Sequence, residues 1–292
     1  MVTTLALACS AACAGTDHRD LVYGARTARL GASLAVLGWN ASVSNLRWQD
    51  DYVLVDVDAA PTDPGKVHAD PRDVRFGLYG APAHPMEAVG IGSCDNVKNI
   101  VIQALSAPGG TRLTGTVCLG PLKDRSAVRG VYLYSPRDRV ADTAAAYPAA
   151  FPVGVLPTKE NDTGLVVKTT SLSAWRADGT PVTKAQLGDP GAFNGNGYML
   201  LGLEADAIAA RYRDDSATRG GPMMLLASPT LPERGLNPAC AAYGSAVLIL
   251  PDASLDAVRV DASLCTQGEI NEALLYATVA IVGTHAGVWT AK

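Results

Sequence analysis

Apolar and polar residues alternate at period two through much of the chain. Val53, Val55 and Val57 lie on one face of Tyr52-Val53-Leu54-Val55-Asp56-Val57-Asp58, and Val74, Phe76 and Leu78 do the same before Gly80. Alternation among β-branched and aromatic residues marks strands with one face buried. Ala32 to Asn45 reads as a strand with a turn near Gly38, and Gln49-Asp50-Asp51 is a polar turn between antiparallel strands. Pro61 to Pro71 is a proline-punctuated loop, Ile100 to Leu105 an apolar run, Pro108-Gly109-Gly110 a turn, and Thr111 to Leu119 a further strand. Arg129 to Tyr134 closes this first set. Amphipathic helical periodicity is not evident anywhere along it.

The pattern then returns. Tyr198-Met199-Leu200-Leu201-Gly202-Leu203-Glu204-Ala205-Asp206 repeats the aromatic opening, apolar middle and acidic end of the Tyr52 stretch, 146 residues later. Trp175 stands before it as Trp48 stands before the first. Met223 to Ala227 matches the Phe76 region, and Gly287-Val288-Trp289 matches Gly130-Val131-Tyr132. Landmarks in the same order, with insertions confined to apparent loops, predict a duplicated unit. Residues 1–31 read as a targeting or tether segment, 32–136 as a first β-sandwich, 137–157 as a Pro/Ala-rich linker and 158–292 as a second sandwich. The long insertion Arg176 to Gly197 distinguishes the second unit.

Cysteines sharpen the repeat. Cys94 and Cys118 are 24 residues apart, Cys240 and Cys265 are 25 apart, and the first members are separated by the same 146. No CxxC or paired histidine suggests zinc. One disulfide per unit is the economical reading, with buried thiols the alternative, and disulfides persist in oxidising compartments. Val2 to Gly15 is small and apolar, so it reads as part of an export signal. Cys13 or Cys9 near its end are imperfect lipidation candidates.

Composition narrows the function classes. Charged residues make up 18 % of the chain and the net charge is −4, so no basic face recommends nucleic acid as a partner. No run of 18 apolar residues indicates a membrane span. The only membrane contact expected is a lipid anchor at the N-terminus.

The order of Tyr52-Val53-Leu54-Val55-Asp56-Val57, then Pro108-Gly109-Gly110-Thr111 leading into Leu113-Thr114-Gly115-Thr116-Val117, then Gly130-Val131-Tyr132-Leu133, resembles the immunoglobulin-like extracellular domains of mycobacterial and actinobacterial secreted antigens and lipoproteins. The resemblance covers about 100 residues of the first unit and is weaker in the second, which lacks the Pro-Gly-Gly-Thr turn. It implies an all-β chain of two tandem immunoglobulin-like antiparallel sandwiches, exported or lipid-anchored. It carries over no catalytic residue.

Candidate chemistry is sparse. His18, His68, His84 and His285 are scattered, there is no GxSxG elbow, and Gly90-Ile91-Gly92 lacks the rest of a dinucleotide fingerprint. Asp50, Asp51, Asp56, Asp58, Asp63, Asp70 and Asp73 crowd the first unit. Calcium is the one cofactor such oxygens suggest, but outward strand aspartates read more simply as a solvated face. Asp189, Asn194 and Asn196 in the insertion are the binding candidates. Trp39, Trp48, Trp175 and Trp289 suit core or sheet-edge packing better than a ligand platform. The expected function is a non-enzymatic binding or adaptor protein of the cell envelope, whose partner is an envelope protein or surface ligand met through loop and inter-domain surfaces. An envelope hydrolase and a passive spacer are the alternatives.

Overall fold

A computed structural model describes residues 25–80, 86–98, 100–146, 151–152, 165–187, 196–207, 218–219, 223–228, 247–249, 258–269 and 276–291. Among the described residues the chain is mostly β, in three sheets, and the named helical elements are single turns such as Pro108–Gly110 and Lys184–Leu187.

The first sheet contains β2 (Ser33–Val36), β3 (Trp39–Gln49), β4 (Tyr52–Pro61) and β7 (Leu113–Leu119), antiparallel in the order β2-β3-β4-β7. Its turns are those the sequence predicts. Leu37 and Gly38, both at positive φ, join Val36 to its partner Trp39, the backbone a two-residue hairpin requires. Asp50 and Asp51 join Gln49 to Tyr52, with Asp50 also at positive φ.

Alternation along β4 decides its two faces. Val53, Val55, Val57 and Ala59 point inward and are buried, while Leu54, Asp56 and Asp58 point outward. The inward row meets Phe76 and Leu78 of β5 (Arg75–Gly80), Val131 and Leu133 of β8 (Val128–Ala146) and Trp289 of β16 (Tyr276–Thr290) in one core. Burying each such side chain contributes about 1.5–3 kcal/mol. Trp39 and Trp289 are fully buried in it, and each indole N–H donates to a backbone carbonyl, Ala69 and Ala32 respectively. Neither indole N–H is therefore left unpaired by burial. Gly77 faces Tyr132 across the β5–β8 pair, and a Cβ there would lie about 2.0 Å from the ring.

The second sheet crosses the molecule in the order β14-β13-β16-β8-β5-β6, with β6 at Glu87–Val89, β13 at Met223–Ser228 and β14 at Val247–Ile249. β8 and β16 run antiparallel down its middle from Gly130 opposite Thr290 to Ala144 opposite Val282. β5 and β13 flank them, each antiparallel to its neighbour. β1 (Arg26–Arg29) pairs in parallel with the end of β16, and β9 (Phe151–Pro152) pairs with its start. Residues 137–146, within the segment expected as a linker, continue β8. Val288 and Trp289, expected as counterparts of Val131 and Tyr132, lie across the strand pair from them: Val288 faces Tyr132 and Trp289 faces Val131. Similar sequences reflect similar environments here, since both stretches line one core.

The third sheet has β10 (Leu165–Arg176), β11 (Pro181–Val182), β12 (Asn196–Ala207) and β15 (Val258–Glu269), in the order β11-β10-β12-β15. The echo stretch is its β12, flanked by β10 and β15 as β4 is by β3 and β7. Leu54 faces Cys118 across β4 and β7, and Leu200, 146 residues on, faces Cys265 across β12 and β15.

Candidate functional site: the outer face of the first sheet

The outward row of β4 begins with Leu54, which is capped. Cys94 and Cys118 form a disulfide, and with Leu54 they make a small cluster to which Tyr52, Val97, Ile100 and Ile102 add. The expected first pair is therefore present, a bond of the kind that persists in oxidising environments. The segment after Cys94 then runs beside β7, where the N–H groups of Leu105 and Thr116 donate to the carbonyls of Thr116 and Gln103. The approach is close: a Cβ on Gly115 would lie about 2.5 Å from the Ala104 carbonyl oxygen, and Gly115 sits at φ 130°. This glycine allows the covering segment to lie against the sheet.

Below the cap the face turns polar. A β-bulge places Asn45 and Leu46 opposite Val55, between the Ser44–Asp56 and Arg47–Leu54 pairs, with Asn45 at φ 51°. The bulge brings Asn45 and Arg47 to one carboxylate. Asp56 accepts from Asn45 Nδ2 at 2.6 Å, Arg47 Nη1 at 2.9 Å and Thr116 Oγ1 at 2.8 Å. Burial alone would raise its pKa, but the hydrogen bonds from Asn45, Thr116 and Arg47 and the Arg47 charge outweigh that and hold it below the ordinary carboxylate value. One step along, Arg112 grips Asp58 with two parallel bonds, Nε to Oδ1 at 2.9 Å and Nη2 to Oδ2 at 2.8 Å.

Between this row and the covering segment runs a groove of about 440 Å³. Ser44, Arg47, Asp56, Asp58, Thr114 and Thr116 form its floor, and Val101, Ile102 and Gln103 its wall. A smaller hollow of about 240 Å³ lies on the other side of Val101, against Trp48 and Gln49. The Arg125 guanidinium stacks 5.0 Å from the Trp48 ring centroid.

A second polar cluster lies elsewhere. Glu87 on β6 accepts from Tyr132 Oη at 2.6 Å and Tyr134 Oη at 3.0 Å, and pairs with Arg219 Nε at 3.3 Å. Burial first, and then the Glu87 charge, push the Tyr134 phenol well up, so it stays protonated and donates. Glu87 and Arg219 are both almost fully buried, and their pairing ties β6 to the chain beyond β12. Removing either partner would strand a buried charge. The cluster is an internal lock.

The sequence candidates distribute unevenly. Asp56 and Asp58 do face outward, but as members of ion-paired networks. Asn196 opens β12 opposite Glu269, and Cys265 lies within β15. Asp189, Asn194, Cys240, Cys9, Cys13, His18 and His84 lie outside the described residues. His68 packs on Trp39 at 4.0 Å between ring centroids, and Ser93 Oγ accepts from the Cys118 N–H. Among the described residues no group of three His, Cys, Asp or Glu side chains is placed to hold a metal ion. Asn45, Arg47, Gln103, Arg112 and Thr116 were not singled out by sequence. One signal for the bulge was available: Val43 and Leu46 are three apart, which breaks the period of two.

No family model matches the chain, and neither the curated proteins nor the solved structures include a significant match.

Proposed function

We propose that the chain is an exported, non-enzymatic binding or adaptor protein of the cell envelope, built from two tandem immunoglobulin-like β-sandwich units. The observation that carries the binding role is the groove on the outer face of the first sheet. Its floor carries the Asp56 and Asp58 hydrogen-bond networks, and its wall belongs to the segment that follows the Cys94–Cys118 disulfide. Binding sites of a few hundred Å³ with polar groups fixed in advance avoid much of the ordering cost of association.

The tandem reading draws support from the equivalent registers of Leu54 with Cys118 and Leu200 with Cys265. It is also supported by the order of the middle sheet, in which β13 flanks β16 as β5 flanks β8. Two units that exchange long strands would share one continuous sheet. Export draws support from the disulfide, and Cys13 or Cys9 would supply an anchor.

The test is capture of the full chain on a washed bacterial envelope preparation. Wild type and a Val101→Asp, Gln103→Ala variant are compared with a chain lacking residues 176–197. The groove variant should lose most of the bound fraction, while the deletion retains it. Equal retention by wild type and groove variant would move the contact elsewhere, and loss in the deletion alone would return it to the insertion.

A further inference from the structure

We infer that the groove takes an uncharged, hydroxyl-rich ligand, a neutral glycan chain; this rests on the binding role proposed above and names its chemistry. The first reason is charge. Each carboxylate on the floor already has its own guanidinium, Arg47 on Asp56 at 2.9 Å and Arg112 on Asp58 at 2.8 Å. An anion would compete with a carboxylate for an occupied arginine, and a cation would compete with an arginine for an occupied carboxylate. The fields of the two pairs largely cancel within the groove, so neither sign of ligand gains much.

The second reason is hydrogen bonding. The Ser44 and Thr114 hydroxyls and the Gln103 amide line the groove and make no side-chain hydrogen bond to another described residue. A hydroxyl both donates and accepts, and an amide presents one group of each kind. Such a surface matches sugar hydroxyls, which need donors and acceptors interleaved at short range. A purely anionic or cationic ligand would leave half of that capacity unused.

The third reason is the wall. Val101 is fully exposed and Ile102 half-buried on the covering segment, so the groove has an apolar flank beside a polar floor. Pyranose and furanose rings have the same division, with C–H faces and hydroxyl edges. Burial of the C–H face against the wall would supply the apolar contribution to affinity. The disulfide at Cys94 and the backbone bonds of Gln103 and Leu105 with Thr116 tie that segment to the sheet at both ends.

The experiment titrates the full chain with a panel of soluble neutral oligosaccharides built from glucose, galactose, mannose and arabinose. Polygalacturonate and pentalysine serve as the charged probes, and insoluble neutral polysaccharides provide a co-sedimentation arm. At least one neutral glycan should bind, with affinity changing little between about 50 and about 500 mM salt. Gln103→Ala and Thr114→Val should each weaken it about tenfold, the equivalent of one lost hydrogen bond. Val101→Asp should weaken it at least as much, and Leu200→Ala on the third sheet should not change it. Binding to soluble fragments locates recognition within a chain, whereas co-sedimentation alone means recognition of a packed polymer surface; both support the assignment.

Preference for either charged probe, steep salt dependence, or wild-type affinity in all three groove variants overturns it. If the envelope preparation captures the chain but no neutral glycan binds, the ligand class is wrong and the binding role stands. If a glycan binds but the envelope preparation does not capture the chain, the ligand class stands and the envelope role fails. Loss of both rejects both.

Discussion

The outer faces of β4 and β12 start from the same sequence pattern and end in different states. Leu54 and Leu200 occupy equivalent places, each opposite a cysteine on the next strand, yet Leu54 is 1 % exposed and Leu200 46 %. Tyr52 is half-buried, whereas Tyr198 is 40 % exposed. The difference is the disulfide-held segment, which seats Val97, Ile100 and Ile102 on Leu54. The lower rows differ too. Asp56 on β4 becomes Gly202 on β12, so the carboxylate that organises the first floor has no counterpart at that place. The same pattern thus buries Val53 on β4 and Met199 on β12, while the outer face depends on what crosses it.

Removing the staple is the most direct way to erase this contrast. Cys94→Ser with Cys118→Ser should destabilise the protein by about 3–4 kcal/mol, the loop-closure value for about 25 residues. Urea unfolding of both proteins without reductant measures this, and a loss below about 1 kcal/mol would mean the segment is held by packing alone. Next comes the pair of leucines. Leu54→Ala should cost about 3 kcal/mol, because it opens a cavity under the cap. Leu200→Ala should stay within about 0.5 kcal/mol, since little is buried there. Comparable costs at both positions would show that the second outer face is covered in solution.

A smaller, pH-dependent effect concerns Asp56. Its folded pKa lies below that of the unfolded chain, so its contribution is fully present above the unfolded value of about 4 and is lost as pH falls through the folded one. The side chain is 38 % exposed, which limits the gain to under about 1 kcal/mol after solvent screening. Asp56→Asn should therefore flatten the fall in urea midpoint below about pH 4 without changing the slope above about pH 6. An unchanged acid limb in that variant would remove Asp56 as its source.

Legibility followed periodicity. The strands of the first sheet, the turns at Gly38 and Asp50-Asp51 and the Cys94–Cys118 bond could all be read from residue order, because each is a short-range consequence of alternation, turn chemistry or spacing. The two tryptophans at Trp39 and Trp289 were legible as core for the same reason. The groove was not, since the partners of Asp56 and Asp58 come from two other stretches of chain, Arg47 on β3 and Arg112 and Thr116 just before and within β7. Only the bulge at Asn45 left a trace, in the slipped period between Val43 and Leu46. Aspartates in strands, read alone, look solvated; their ion-pair partners come from strand pairing.

The sequence by itself determined that this chain is built of strands, which face of β4 is buried and where one disulfide closes. Those outcomes depend on side-chain alternation and on cysteines joined through a short loop. Tertiary structure alone decided that the last strand returns to β8 and delivers Trp289 to the first core. It also decided that a charge-compensated groove opens beneath the disulfide segment. Pairing between residues far apart in sequence leaves no periodic mark, because its register is set by the packing of whole sheets.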